Sequence, residues 1–199
     1  MNTTVKELRS RNLRTLAVLA GLFLLPLLVS FWAYYATDWR PAAHVNHGEL
    51  VSPARPLPRV DLPRIEGNLP VADLFKRKWT LVYLGGGNCD AACRNALYFM
   101  RQTRLGLNNE MTRVERVFLV TGNCCDREFL GTEHAGLNVF DASGPAASVL
   151  LARFPSTDRE NSLFIVDPLG NLMMRYDDRL NPKGLLEDLK KLLRLSHIG

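Results

Sequence analysis

Residues 80–97 read TLVYLGGGNCDAACRNAL, and the predicted fold is arranged around this stretch. Its first five residues, Thr80–Leu84, are apolar or β-prone and predict a buried strand. Three glycines follow, and glycine permits the sharp turn that such a strand needs at its end. Cys89 and Cys93 then open a helical pattern that continues to about Arg104. The stretch therefore predicts a strand, a tight turn and a helix with two cysteines at its start.

The position of the two cysteines has a chemical consequence. The backbone N–H groups and the dipole at a helix N-terminus favour a thiolate. Cys89 stands ahead of the helix and Cys93 lies a turn further in, so we expect Cys89 to have the lower pKa and the higher reactivity. Such a pair fits thiol redox chemistry or a soft metal ion. The structural alternative is that both are buried thiols that pack as small apolar groups.

A second pair of cysteines follows the next predicted strand, Val114–Val120. Two such strands joined by a helix are parallel neighbours with a right-handed crossover, and their carboxyl ends lie at one edge of the sheet. Cys124 and Cys125 should therefore approach Cys89 and Cys93. Two interpretations stay open: at least one cysteine of the second pair faces that site, or a cysteine of the pair is simply buried.

The remaining elements complete an α/β plan. Further strands are predicted at Leu137–Phe140, Ser162–Val166 and Leu172–Tyr176, and helices at 126–134, 145–154 and from Pro182 onward. Alternating strands and helices that end in a hairpin and a helix are typical of a thioredoxin-like mixed sheet with flanking helices.

The N-terminal part predicts a membrane anchor. Residues 15–37 contain no charged residue and, as a helix of roughly 34 Å, are long enough to span a bilayer. Residues 1–14 are basic, and the positive-inside rule places them in the cytoplasm. We expect a single-pass protein of a bacterial inner membrane with its C-terminal domain in the periplasm. A cleaved signal peptide is the alternative, but the apolar run is long and no clear cleavage site follows it.

Between the anchor and the domain lies a proline-rich segment. Residues 38–70 hold six of the eleven prolines and predict an extended tether, followed by the thioredoxin-like domain over residues 71–199. His44 and His47 lie in this tether, where histidines are usually solvated. The formal net charge of +5 is concentrated before the apolar run, so the sequence shows no basic surface typical of nucleic-acid binding.

The chain resembles the Sco/SenC family over roughly residues 60–195. The resemblance rests on the anchor, on KWTLVYLG at 78–85, on the C-x-x-x-C motif of Cys89 and Cys93, and on FIVDPLG at 164–170. It implies a membrane-anchored factor that helps to build the binuclear copper centre of cytochrome c oxidase. Copper as Cu(I), and a subunit of the oxidase or another assembly factor as partner, follow from the same resemblance.

The chain departs from the family pattern in its cysteine motif and at the position of the histidine ligand. The family has Cys-Pro-Asp-Val-Cys, whereas this chain has Cys-Asp-Ala-Ala-Cys. The family's third copper ligand is a histidine shortly before the third core strand, where this chain has Glu160-Asn161-Ser162. A third ligand would then come from Cys124, Cys125 or His134.

Three functions remain open at this stage. The first is a copper-handling assembly factor with Cys89, Cys93, Cys124 and Cys125 as metal ligands. The second is a thiol–disulfide oxidoreductase in which Cys89 attacks and Cys93 resolves, acting on cysteines of an oxidase subunit. The third is a non-catalytic assembly scaffold. Whether the chain is an enzyme is therefore not decided by its sequence, and neither is the pairing of its cysteines.

Overall fold

The structure is a computed structural model that describes residues 2–37, 46–69, 71, 74–177, 179, 182–196 and 198. The chain divides into two compact units, residues 1–44 and residues 45–199. Some residues of the predicted tether lie outside the described residues: Asp38, where the tether was predicted to begin, His44 and Pro70.

The N-terminal unit contains one long helix, α1, over Asn2–Ala36. Its stretch Asn12–Ala36 is long and apolar enough to cross a membrane. Pro26 lies inside the helix. Just beyond its end, the Thr37 hydroxyl donates to the Ala33 carbonyl oxygen at 2.6 Å. The predicted apolar span at 15–37 thus coincides with a helix that ends one residue earlier.

The described part of the second unit contains seven strands and four helices. The strands are β1 Glu49–Pro56, β2 Arg64–Glu66, β3 Trp79–Gly85, β4 Val114–Val120, β5 Asn138–Asp141, β6 Ser162–Val166 and β7 Asn171–Asp177. The helices are α2 Ala91–Leu105, α3 Arg127–Glu133, α4 Ser148–Leu151 and α5 Pro182–Leu195. Short 3₁₀ turns lie at Asn108–Arg113, Pro145–Ala147 and Arg159–Asn161.

The strands form one mixed sheet in the order β1-β7-β6-β3-β4-β5-β2. β3, β4 and β5 run parallel, and the other neighbours pair antiparallel. In the β3–β4 ladder Gly85 lies opposite Val120, so both strands end at the same edge. The thioredoxin-like mixed sheet with flanking helices and the parallel β3–β4 pair are confirmed.

The core has two layers because successive side chains of a strand point to opposite faces. Leu81, Tyr83 and Phe118 pack on one face with α2 and α5. On the other face Val82 and Leu119 pack with α4. All seven residues of β3 are buried, which explains their continuous apolar run.

The segment predicted as a tether contributes the two outer strands of the sheet. β1 pairs with β7 and β2 pairs with β5, so residues 49–56 and 64–66 are part of the domain. This differs from the predicted tether over 38–70 and from the predicted domain start at 71. Prolines are tolerated in edge strands because such strands leave some N–H groups unpaired.

Candidate functional site

The first cysteine pair lies where β3 passes into α2. The β3 strand ends at Gly85, and the Cys89 amide donates to the Gly86 carbonyl oxygen at 3.3 Å to close a turn. Cys89 has a positive φ of 41°, a conformation that few residues other than glycine adopt. Asp90 then caps α2, because its Oδ1 accepts a hydrogen bond from the Cys93 amide at 3.0 Å. The cap places Cys93 in the first turn of the helix.

Cys89 and Cys93 are joined in a disulfide, with their Cα atoms 4.9 Å apart. Both are buried, with exposures of 3% and 2%. The predicted turn and helix start thus bring these two sulfurs together. In this oxidised form the disulfide can accept two electrons. Its reduction would give two neighbouring thiols.

The second pair lies in the loop between β4 and α3. Cys124 and Cys125 are bonded to each other, and no cysteine among the described residues is free. Cys124 is exposed, whereas Cys125 is half-buried and packs against the core layer that contains Cys89 and Cys93. The sequence predicted the approach of the two pairs but left their pairing open.

The two cysteine loops touch through their backbones. Beyond the last ladder pair, the Thr121 amide donates to the Gly85 carbonyl oxygen at 2.9 Å. A Cβ atom built on Gly87 would lie 2.6 Å from the Cys124 Cα, and closer still to the Asn123 carbonyl oxygen. Only glycine fits at residue 87 without displacing the neighbouring loop.

An ion pair and a ring contact brace the two loops. Arg94 Nη2 lies 3.2 Å from Asp126 Oδ2, and the Arg94 guanidinium carbon lies 4.1 Å from the centre of the Phe129 ring. Asp126 also caps α3, because its Oδ1 accepts from the Phe129 amide at 3.1 Å. Arg94 directly follows Cys93 and Asp126 directly follows Cys125, so this ion pair holds the two loops against each other.

Cys89 also lines a pocket of about 140 Å³. The other lining residues are Tyr83, Gly86, Asn88, Asp90 and Glu160. Glu160 belongs to the segment where the Sco/SenC resemblance expects a histidine, and the Tyr83 hydroxyl donates to its carbonyl oxygen at 2.9 Å. Neither Asp90 nor Glu160 belongs to the site predicted from the sequence. The sequence could have predicted Asp90 as an N-cap, because aspartate is common just before a helix. No local pattern indicates that Glu160 lies near Cys89.

The carboxylate of Asp90 bears on the expected reactivity of Cys89. It accepts the Cys93 N–H, one of the donors that would otherwise stabilise a thiolate, and it carries a negative charge beside Cys89 in the same pocket. This charge opposes the effect of the helix N-terminus on the Cys89 thiol.

A comparison with protein families matches residues 79–196 to the family described as transmembrane-like, thioredoxin-like, C-terminal domain. The chain belongs to this family. The match covers β3 to α5 and includes both cysteine loops. No curated protein matches the sequence significantly.

Solved structures of Sco proteins share the fold of this thioredoxin-like chain. Apo Sco1 from Thermus thermophilus aligns with a TM-score of 0.53 and 17% identity, over 78% of this chain and 99% of that one. Copper-bound yeast Sco1 aligns with a TM-score of 0.59 and 13% identity, over 71% and 90%. Copper-bound ScoI from Arabidopsis thaliana aligns at 0.51 and 16%, over 61% and 88%. The resemblance seen in the sequence is therefore confirmed for the fold.

The residues present offer copper two sulfur donors at the predicted site. Within the described ranges, no group of three or more His, Cys, Asp and Glu side chains is arranged to hold a metal ion. Once reduced, Cys89 and Cys93 would supply two thiolates, the soft ligands that Cu(I) prefers. His47 belongs to no such group among the described residues, and its Nε2 lies 2.8 Å from Glu187 Oε2.

His134 is a buried side chain at the C-terminal end of α3. It is 3% exposed, its ring lies edge-on against Phe129, and its Nδ1 has no hydrogen-bond partner among the described residues. Burial, and next the charge of Arg116, lower the pKa of His134 below its usual value. Arg101 and Arg94 act in the same direction, and Glu133 opposes them.

We expect this histidine to make the domain less stable in acid. The unfolded chain takes up the proton near pH 6.5, whereas the folded chain resists it, so stability falls as the pH drops below about 6.5. The slope from this one group is at most about 1.4 kcal/mol per pH unit. Urea unfolding of the full chain in detergent micelles between pH 5 and pH 7.5 should show a shallower dependence for His134→Gln. An identical dependence in both proteins would contradict a neutral, buried His134.

Proposed function

We propose that the chain is a membrane-anchored, thioredoxin-like assembly factor for cytochrome c oxidase that handles Cu(I) through Cys89 and Cys93. One observation carries the proposal: the two sulfurs lie together at the end of β3 and the start of α2, beside a pocket that opens to Cys89. The copper-bound structures of yeast Sco1 and Arabidopsis ScoI, which share this fold, support the choice of metal.

Copper is the cargo in this proposal, and its binding requires reduction of the disulfide. The two thiolates formed would bind Cu(I) from the turn and from the first turn of α2. The contact of Gly87 with Cys124 supports a third ligand from the second pair, Cys124 or Cys125, once that pair is reduced too. The proposed partner is a copper-accepting subunit of the oxidase or another assembly factor.

The third ligand can be tested by substitution. We expect Cys124→Ser/Cys125→Ser to weaken Cu(I) binding by at least about tenfold, because a thiolate is replaced by a harder oxygen donor. His134→Ala is the matched control and should change the affinity little, since the imidazole is buried against Phe129. Competition with a chromophoric Cu(I) chelator measures both. Unchanged affinity in the double variant would make the second pair irrelevant to copper.

A second candidate function is thiol–disulfide exchange, and the Cys89–Cys93 disulfide favours it. In this function the reduced Cys89 attacks a disulfide of the partner protein, and Cys93 resolves the mixed disulfide. Metal analysis combined with thiol counting separates the candidates. If the reduced chain retains copper and the oxidised chain does not, copper handling is supported. If the reduced chain binds no copper but reduces a disulfide peptide, thiol–disulfide exchange replaces copper handling as the function. If it does neither, the non-catalytic assembly scaffold is the remaining candidate.

We also propose that α1 anchors the chain in a bacterial inner membrane with residues 1–14 in the cytoplasm and the domain in the periplasm. The helix over Asn12–Ala36 and the basic residues that precede its apolar part support this orientation. A periplasm-dependent reporter fused after residue 40 should be active. Activity of a cytoplasm-dependent reporter at the same position would contradict the orientation.

A further inference from the structure

The two cysteine pairs differ in their access to other proteins. Cys89 and Cys93 are 3% and 2% exposed, and Cys89 lines a pocket of about 140 Å³. Cys124, in contrast, is exposed at the surface. The second disulfide is therefore more accessible to a dithiol protein than the first.

The same two pairs are held close to each other. Gly87 lies two residues before Cys89, and its backbone packs against Asn123 and Cys124. Arg94, the residue after Cys93, forms an ion pair with Asp126, and its guanidinium lies over the Phe129 ring. The half-buried Cys125 packs against the core layer that includes Cys89 and Cys93. An exposed disulfide is thus fixed beside a buried one.

We propose that Cys124 and Cys125 form a relay that passes reducing equivalents from an external dithiol protein to the buried Cys89–Cys93 disulfide. The inference rests on the redox chemistry proposed for Cys89 and Cys93 and gives it a route of supply. In the copper function, the same relay keeps the two ligands reduced.

The relay consists of two balanced disulfide exchanges. A thiolate of the external protein attacks Cys124, and the Cys125 thiolate leaves; the second external thiol then attacks the mixed disulfide and releases Cys124 as a thiolate. The external protein ends as a disulfide, and the Cys124–Cys125 pair has gained its two electrons and two protons.

The second exchange moves these electrons inward. The Cys124 thiolate attacks the sulfur of Cys89, which forms a Cys89–Cys124 disulfide and releases Cys93 as a thiolate. Cys125 then attacks Cys124, restores the outer disulfide and releases Cys89. The inner pair ends as two thiols, and the protons come from the outer pair.

The test follows reduction of the inner disulfide in the full chain in detergent micelles, with thioredoxin as the protein reductant. Quenched samples are labelled with a maleimide and the Cys89–Cys93 peptide is quantified by mass. We expect Cys124→Ser/Cys125→Ser to slow this reduction by at least about tenfold. Dithiothreitol, small enough to act without the relay, is the control and should reduce the inner pair at similar rates in both proteins. Equal rates with thioredoxin would overturn the relay.

A second measurement detects the intermediate. Cys93→Ser/Cys125→Ser retains one cysteine in each loop, and its Cys89 and Cys124 should join in an intramolecular disulfide on mild oxidation. Free thiols at both positions in a folded protein would overturn the relay. Because neither measurement involves copper, the relay can fail while Cu(I) binding by Cys89 and Cys93 persists, and the reverse outcome is equally distinguishable.

Discussion

Replacing Asp188 by alanine is expected to destabilise the domain by about 3 kcal/mol or more, because two buried donors and one partly buried donor lose their shared acceptor. Asp188 is 4% exposed, and its Oδ2 accepts from the His47 amide at 2.7 Å, the Gly48 amide at 3.0 Å and the Tyr176 hydroxyl at 2.5 Å. Burial, and then this carboxylate, raise the pKa of Tyr176 well above its usual value, so the phenol stays a donor.

The effect should be largest at the edge strand β1, which begins at Glu49, directly after the two amides that Asp188 holds. Urea unfolding measures the total loss, and hydrogen exchange should show faster exchange in β1 than in β3. Glu187→Ala is the matched control: this neighbour is 64% exposed and pairs with the His47 side chain, so its loss should cost less than about 1 kcal/mol. Equal losses in the two variants would contradict the role of Asp188.

The second large effect is expected for Gly87→Ala. A methyl group there meets the backbone of Asn123 and Cys124, which can yield only by moving the loop. We expect a destabilisation of about 1–3 kcal/mol, the usual cost of overpacking. The displacement would also separate the two cysteine pairs and slow any exchange between them.

Gly86→Ala is the control that the chain itself offers. A Cβ atom on Gly86 meets nothing within 4 Å, so this variant should stay within about 0.5 kcal/mol of the parent. Thermal unfolding of both variants and the parent gives the comparison. If Gly86→Ala were as destabilising as Gly87→Ala, the turn itself and not the contact between loops would be the cause.

The central strands and the position of the cysteines could be predicted from local patterns. The apolar run of β3, the glycines and the cysteines all lie within 18 residues, and the crossover rule then placed Cys124 and Cys125 at the same edge. The caps of α3 at Asp126 and His134 also fell at the predicted ends.

The outer strands and the pocket could not be predicted because long-range contacts create them. In β1 only Val51 is half-buried, so the strand shows no alternation of buried and exposed residues. Asp188, which holds the start of β1 through Gly48, lies 140 residues further along the chain. Arg116 is a charged residue in the middle of β4, yet it is 3% exposed, with Nη2 bonded to the Ala135 carbonyl oxygen at 2.7 Å. Such tertiary partners have no local signature.

The most direct test of the account is a Cu(I) titration of the reduced full chain in detergent micelles against a chromophoric chelator. We expect about one Cu(I) ion per parent chain and a loss of at least about a hundredfold in affinity for Cys89→Ser/Cys93→Ser, because thiolates are the ligands that hold Cu(I). Circular dichroism should show that the variant is folded. Equal affinity in the two proteins, or a reduced and folded parent that binds no Cu(I), would contradict a copper site at Cys89 and Cys93.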